Sequence, residues 1–380
     1  MTISSIDPNG LSEFSVVFTE RSLNHMSKRF QGAMNDISAA LKEVYHADGV
    51  ALVPGGGTFG MEAVARQFAG NRDVLVVRNG WFSYRWSQIM EAGDIASKVT
   101  VLKAQQVDNE QPRSFAPHPI EDVTARIAEE RPAVVFAPHV ETSAGVMLPD
   151  EYITALADAA HAVGGLMILD CVASGTIWID MESLGVDVVI SAPQKGWSAS
   201  PCAGLVMMSQ RALDTMADTT SSSFAVDLKK WHDIMKAYEN GGHAYHSTMP
   251  TDALIAFRDA INETRAFGFD VAKQRQLELG TKVRELLADR GFKSVAARGY
   301  EAPGVVVCYT GDPSMQNGSK FAAKGMQIAA GVPLQCDEPE DFSTFRLGLF
   351  GLDKLKDVDG TVARLTATLD AVVAETGEAA

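Results

Sequence analysis

Between Val50 and Ser209, short runs that are apolar at every position alternate with amphipathic stretches, and this alternation restricts the fold more than any other feature of the chain. Val50-Ala-Leu-Val-Pro54, Asp73-Val-Leu-Val-Val-Arg78, Ala133-Val-Val-Phe-Ala137 and Leu166-Met-Ile-Leu-Asp170 show no polar alternation, nor does Val186-Asp-Val-Val-Ile190 after its second residue. A strand with one wet face alternates; a strand buried on both faces does not. The stretches between them, Met61 to about Gly70, Trp81–Ala92, Ile120–Glu130 and Asp150–Val163, read as helices, and Lys98–Ala104 as a further strand. Strand and helix in turn predict a mostly parallel sheet covered by helices. Gly204–Ser209 is predicted to return antiparallel, and residues 25–47 form a leading helix with Met26, Phe30, Met34, Ile37, Leu41 and Val44 on one face.

After about Pro250 the pattern changes. A long helix with a break is predicted through Leu287; strands at Phe292–Val295, Gly304–Tyr309 and Thr344–Leu349 then alternate with helices at Ser314–Lys324 and Val358–Ala374. The expected division is an N-terminal arm (1–20), a large α/β domain (21–262) and a smaller C-terminal α+β domain (263–380). The net charge of −15 argues against nucleic acid or an anionic membrane as the main partner, since both select basic surfaces. No basic-then-apolar leader opens the chain and no run nears the ~20 apolar residues of a membrane span. Cys171, Cys202, Cys308 and Cys336 have no CxxC spacing and are expected as reduced thiols of a cytoplasmic protein.

Ligands of a parallel sheet gather at the carboxyl ends of its strands. One apolar run ends in Asp170; the next leads through Ser191-Ala-Pro-Gln to Lys195, expected at a strand end. Upstream, Gly55-Gly-Gly-Thr-Phe-Gly60 follows a strand and opens a helix, where backbone N–H groups and the helix field suit a phosphate. Its glycines lack GxGxxG spacing, which disfavours a dinucleotide. Singly, the glycines fit a plain turn, Asp170 a helix cap or the partner of a cation, and Lys195 a surface lysine. Together they fit pyridoxal 5'-phosphate, whose aldehyde needs a lysine and whose ring nitrogen needs an anion.

With these residues, Ile168-Leu-Asp-Cys-Val-Ala-Ser174 and Ser191-Ala-Pro-Gln-Lys195 resemble class V aminotransferases of fold type I, in particular the alanine–glyoxylate/serine–pyruvate branch. Three further segments agree in order: His139-Val-Glu-Thr-Ser-Ala-Gly145, Tyr245-His-Ser-Thr-Met-Pro250 and Phe345-Arg-Leu-Gly348. The resemblance implies a seven-stranded type of sheet, a homodimer with shared sites, and ping-pong transamination between a small amino acid such as alanine or serine and a 2-oxo acid, glyoxylate or pyruvate. It implies that Lys195 binds the cofactor aldehyde and moves protons, and that Asp170 holds the ring nitrogen. Gly56, Gly57, Thr58 and Gln194 would contact the phosphate, Phe82 would stack on the ring (with Trp81 a rival), and Thr142 would bond the phenolic oxygen. Tyr245 and Thr248 would reach the neighbouring subunit's phosphate site, and Arg346 would clamp the substrate carboxylate.

The chain departs from this pattern in places. Phe18-Thr-Glu-Arg-Ser-Leu-Asn-His25, with Arg21, replaces a Gly-Pro-rich stretch near the substrate; Thr58 stands where relatives often carry His, Phe82 where they often carry Trp, and Pro193 replaces a small polar residue. A class V lyase or desulfurase is the rival reading, with Cys336 on a loop that could be mobile, although its acidic neighbours would raise a thiol pKa. Another rival is an aminotransferase for a different amine donor. His25, His139, His243 and His246 lack compact ligand spacing, so no metal is expected.

Overall fold

The structure, a computed structural model, describes residues 6–16 and 22–376. Phe18 and Arg21 of the atypical segment, and the tail beyond Thr376, lie outside the described residues. Seven strands form the main sheet: β1 (Gly49–Pro54), β2 (Asp73–Arg78), β3 (Lys98–Lys103), β4 (Val134–Pro138), β5 (Leu166–Asp170), β6 (Val188–Ser191) and β7 (Ala203–Met208), in the order β1-β7-β6-β5-β4-β2-β3. β7 runs antiparallel to both its neighbours and the remaining pairs are parallel. In register, Asp170 stands beside Ile190 on one side and Pro138 on the other, so β4, β5 and β6 end together. The central strands are buried throughout, as their unbroken apolar runs require. β3, at the edge, is only half-buried and carries Lys98 and Lys103, which blunt further pairing.

Helices cover the sheet: α1 (Lys28–Tyr45), α2 (Gly57–Phe68), α3 (Trp81–Gly93), α4 (Ile120–Glu130), α5 (Asp150–Ala162), α6 (Leu228–Glu239) and α7 (Thr251–Phe267). α1 begins where the Ser27 hydroxyl accepts the Phe30 N–H (3.1 Å) and buries Phe30, Met34, Ile37 and Leu41 on one face. α2 starts at Gly57, four residues before the predicted Met61. The glycines belong to the helix because it lies hard against the sheet. A Cβ on Gly57 would come within 2.7 Å of Val172, and one on Gly60 within 3.2 Å of the Gly204 Cα. α6 was not predicted; it buries Trp231, Ile234, Met235 and Tyr238 and is capped by Asp227.

The long C-terminal helix breaks at Gly268 (φ +99°), between α7 and α8 (Phe269–Ala288). A smaller antiparallel sheet follows, β8 (Val305–Tyr309), β10 (Thr344–Gly348) and β9 (Ala329–Ala330) in that order, packed against α8 and α9 (Val358–Thr376). The helix predicted at Ser314–Lys324 is two short turns parted at Gly318 (φ +80°), and Phe292–Val295 makes only an isolated bridge from Ser294 to Cys308. Core residues cluster separately under the large sheet and around Leu279, Val283, Phe321, Phe345 and Leu369; a third cluster, with Phe115, Val146, Val307 and Leu334, joins the two. Each such side chain contributes about 1.5–3 kcal/mol by leaving water. Among the described residues no helix is long and apolar enough to cross a membrane.

Candidate active site

The coterminous ends of β4, β5 and β6 form the floor of the site. Asp170 is 8% exposed; its Oδ1 accepts the Val172 N–H at 2.9 Å, and among the described residues it forms no ion pair. Burial, with the Glu141 carboxylate adding to it against the opposing Val172 N–H and Arg85, pushes its pKa up to about 6. Lys195 lies beyond the strand end where it was expected. β6 stops at Ser191, and Pro193, which has no N–H to donate, opens a turn that carries the lysine. Two contacts seat this turn. The backbone at Gly196 approaches Gly175 so closely that a Cβ would lie 1.9 Å from its carbonyl oxygen. Trp197, fully buried, packs 4.5 Å from the Trp178 ring and 6.1 Å from both Phe257 and Phe269. The half-buried Lys195 Nζ lies 5.0 Å from the Phe350 ring centre, and burial, then the Arg346 charge, holds its pKa below the ordinary lysine value. Beside it, the Oε1 end of the Gln194 amide is buried without a partner among the described residues.

The walls come from three strand-to-helix turns. After β1, Gly55 adopts φ +127°, Gly56 caps α2, and no side chain satisfies the first N–H groups of that helix. After β2, Gly80 opens α3 where Ser143 and Glu141 press so near that a Cβ would sit 2.1 Å from the Ser143 hydroxyl. After β4, the chain carries His139, Glu141 and Thr142. Glu141, 0% exposed, ties its own turn to the α3 wall: Oε1 accepts from Phe82 N (3.2 Å), Ser143 N (3.1 Å) and Ser143 Oγ (2.7 Å), and Oε2 from Ser83 N (2.9 Å) and Ser83 Oγ (2.7 Å). A carboxylate on the first turn of α3 also suits the helix dipole. It fixes Phe82, whose ring centre lies 5.5 Å from two guanidinium carbons, those of Arg85 and Arg346. The Trp81 ring instead packs on Tyr84 at 5.9 Å.

Arg346, on β10, comes from the small sheet. Its Nε donates to the Ala330 carbonyl (2.7 Å) and its Nη1 to that of Thr142 (3.4 Å), while burial lowers its pKa and Glu141 opposes the shift. The structure therefore brings Gly56, Gly57, Thr58, Phe82, Thr142, Asp170, Gln194, Lys195 and Arg346 around one slot. Tyr245 and Thr248 lie elsewhere. Both are exposed, 3.2 Å apart through their hydroxyls, with the Tyr245 ring 5.5 Å from His25.

Cys336 lies on a loop between the exposed Gln335 and Asp337, but its own side chain points inward. It is 4% exposed, its thiol donates to the Arg78 carbonyl (3.4 Å), and burial, with Glu141 adding to it, pushes its pKa up to about 12. The backbone N–H groups of Leu334, Gln335 and Cys336 all donate to the Glu338 carboxylate, which pins this segment down. Among the described residues no three His, Cys, Asp or Glu side chains group as metal ligands. His139 is buried, bonded to Ser174 Oγ (2.7 Å), and held neutral to about pH 4 by burial and then Lys273. Sequence reasoning gave no role to Glu141 or Arg85, and their neighbours, among them His139, Thr142 and Ser143 around the glutamate, do not mark them out.

The family model for class-V aminotransferases matches residues 12–339. The chain is 26% identical over 360 residues to the small subunit of a soluble hydrogenase from Synechococcus, covering 93% of this chain and 88% of that one. It is 27% identical over 369 residues to the 2-aminoethylphosphonate–pyruvate transaminase of Burkholderia ambifaria, with 93% and 92% covered. The crystal structure of an alanine–glyoxylate aminotransferase from Nostoc superposes with a TM-score of 0.78 at 23% identity, covering 93% of this chain and 89% of that one, and so shares its fold.

Proposed function

The chain belongs to the class-V aminotransferase family and is a transaminase, and from that premise we propose that it moves the amino group of a small L-amino acid, of the alanine or serine type, to glyoxylate or pyruvate through pyridoxal 5'-phosphate. The observation that carries this reading is the pairing, at the end of β5 and in the turn that follows the neighbouring β6, of a buried carboxyl without a cation and a lysine held below its ordinary pKa. The residues present fit the cofactor. Asp170, which lacks a cation, would hold a protonated ring nitrogen, and the uncapped α2 terminus with the unpartnered Gln194 amide suits a phosphate. Gly56, Gly57, Thr58 and Gln194 would hold the phosphate, Phe82 the ring face, Thr142 the phenolic oxygen and Asp170 the ring nitrogen.

When bound, pyridoxal phosphate supplies an aldehyde that takes up the amino group and a ring that withdraws electrons from Cα. This chain's residues supply the rest. The lowered pKa of Lys195 leaves more of its amine free to act as nucleophile, and the same amine carries the proton to and from Cα. Asp170 favours the charged ring nitrogen. Arg346 keeps its Nη2 edge for the substrate carboxylate and orients Cα. Because donor and acceptor use one slot in turn, the kinetics are ping-pong. Tyr245 and Thr248 of the partner subunit would complete the phosphate site, making the enzyme a homodimer, and the four unpaired buried cysteines support a cytoplasmic setting.

Borohydride reduction of the loaded enzyme followed by peptide mapping tests the reading; the cofactor is expected on Lys195. Alanine or serine should bleach the cofactor's visible absorption, and glyoxylate or pyruvate should restore it. A label on another lysine refutes the site. A panel in which only 2-aminoethylphosphonate bleaches would refute the amino-acid assignment and hand Arg346 a phosphonate.

A further inference from the structure

The turn that opens α2 offers backbone N–H groups, glycines and a threonine, but no charged side chain. A phosphate ester carries roughly −1.5 to −2 at neutral pH, and a helix terminus contributes only about half a charge against it. The nearest wall of the slot supplies a cation. Arg85 follows Phe82 by three residues on α3, so both project from one helix face. Its Nη1 donates to Thr58 Oγ1 at 3.0 Å, across from the second residue of α2, and its Cζ lies 5.5 Å from the Phe82 ring centre. Arg85 as a residue is partly buried, its Thr58 contact is exposed, and among the described residues no carboxylate forms an ion pair with it. Asp170 feels its charge without contacting it. The Thr58 contact lies on the exposed side of the slot, so the guanidinium, held by one hydroxyl and no anion, is open to an anion arriving at the α2 turn.

We propose that Arg85 grips the cofactor's phosphate, completing a cradle made by the α2 terminus, with Thr58 steering the guanidinium into place. This rests on the transaminase reading and goes beyond the residues that reading names. The planar fork of arginine matches two phosphate oxygens at once, which neither the Thr58 hydroxyl nor a lysine reproduces. Lys195 is not free for this task, because its amine serves the aldehyde. Arg346 touches Phe82 from β10 and is tied to Ala330 and Thr142, away from the α2 turn.

The test compares two aldehydes that differ only in the phosphate. Cofactor-free full-length protein is titrated with pyridoxal 5'-phosphate, with pyridoxal, and with inorganic phosphate; binding is followed by quenching of intrinsic fluorescence and by the thermal midpoint. Arg85→Gln should weaken pyridoxal phosphate by at least about tenfold and leave pyridoxal within about twofold of wild type. Inorganic phosphate should raise the thermal midpoint of the wild type and not of Arg85→Gln. Arg85→Lys, which keeps the stem and the charge, should fall between them, and it carries the comparison if Arg85→Gln does not fold. Equal weakening of both aldehydes would mean that Arg85 acts on the ring, and unchanged affinity for pyridoxal phosphate would mean that it acts on neither; each result overturns the proposal. A wild type that takes up no cofactor on Lys195 overturns the transaminase reading itself, and is distinguished by the borohydride map.

Discussion

Glu141→Gln isolates what the buried carboxylate contributes, because the two side chains match in shape and the change opens no cavity. The carboxylate accepts five hydrogen bonds, three on Oε1 and two on Oε2. An amide has one oxygen. Placed at the Oε1 position, it keeps Phe82 N and both Ser143 donors, and its NH2 then faces Ser83. The Ser83 hydroxyl already accepts the Asn79 and Gly80 N–H groups and has no lone pair left for the amide, and the Ser83 N–H cannot accept, so one buried backbone donor is stranded. That costs about 1–3 kcal/mol, and exchanging charged for neutral acceptors at the retained bonds brings the expected loss to about 2–4 kcal/mol. The opposite orientation strands two backbone donors, Phe82 N and Ser143 N, and is worse. Denaturant titration of the cofactor-free protein should show a lower midpoint at unchanged slope. Amide exchange should quicken first at Phe82 and Ser83, because the α3 start is held by this group. Cofactor affinity should fall with it, since Phe82 loses its seat. A stability loss below about 0.5 kcal/mol, with exchange at Ser83 unchanged, would refute the reasoning.

The remaining predictions follow from charge, burial and subunit geometry. In the cofactor-free fold Asp170 holds its proton to about pH 6 against an ordinary 3.8, so between those values the unfolded chain has released a proton that the folded chain keeps. Stability is thus lost as pH rises through the window, by about 3 kcal/mol in full, and Asp170→Asn should gain on the wild type from pH 4 to pH 7. His139 acts in the opposite direction, losing stability as pH falls from 6.5 towards about 4, but it is common to both proteins; a pH-independent difference in unfolding free energy would refute the Asp170 assignment. Cys336→Ala should keep full transamination and the folded protein should leave Cys336 unlabelled by thiol reagents, whereas abolished turnover would revive the desulfurase reading. Mixed dimers of Lys195→Ala with Tyr245→Ala/Thr248→Ala subunits should recover part of the activity, because each hybrid holds one intact site; no recovery, with subunit exchange verified, counts against a shared site.

What the sequence disclosed and what it withheld divide along the range of the interactions. The sheet was legible because burial on both faces leaves apolar runs with nothing else to mean, and the end of such a run marks where a ligand sits; Asp170 follows from that alone. Lys195 was found by type and context, yet misplaced onto a strand, because apolar residues such as Ala192 and Pro193 serve a turn as readily as a strand. The start of α2 was missed because glycines ordinarily weaken a helix, and only the approach of Val172 and Gly204 shows why they are required here. Glu141 and Arg85 were withheld for a different reason. Their partners lie 58 and 27 residues away, and no local pattern distinguishes a carboxylate that staples two loops from one that faces water.

The same distinction bears on how the slot handles charge. Three cations border it, Lys195, Arg85 and Arg346, in a chain whose net charge is −15. Two carboxyls oppose them. Glu141 has both oxygens taken up by N–H and O–H donors of the walls, and burial raises the Asp170 pKa to about 6, which weakens its hold on a negative charge. Cations thus outnumber carboxyls at the slot inside a negative molecule, which favours an anionic ligand there. On the proposed reading, a phosphate ester and a substrate carboxylate would be sorted within the slot by position: Arg85 beside the α2 terminus, Arg346 at the small-sheet edge, and Phe82 between them.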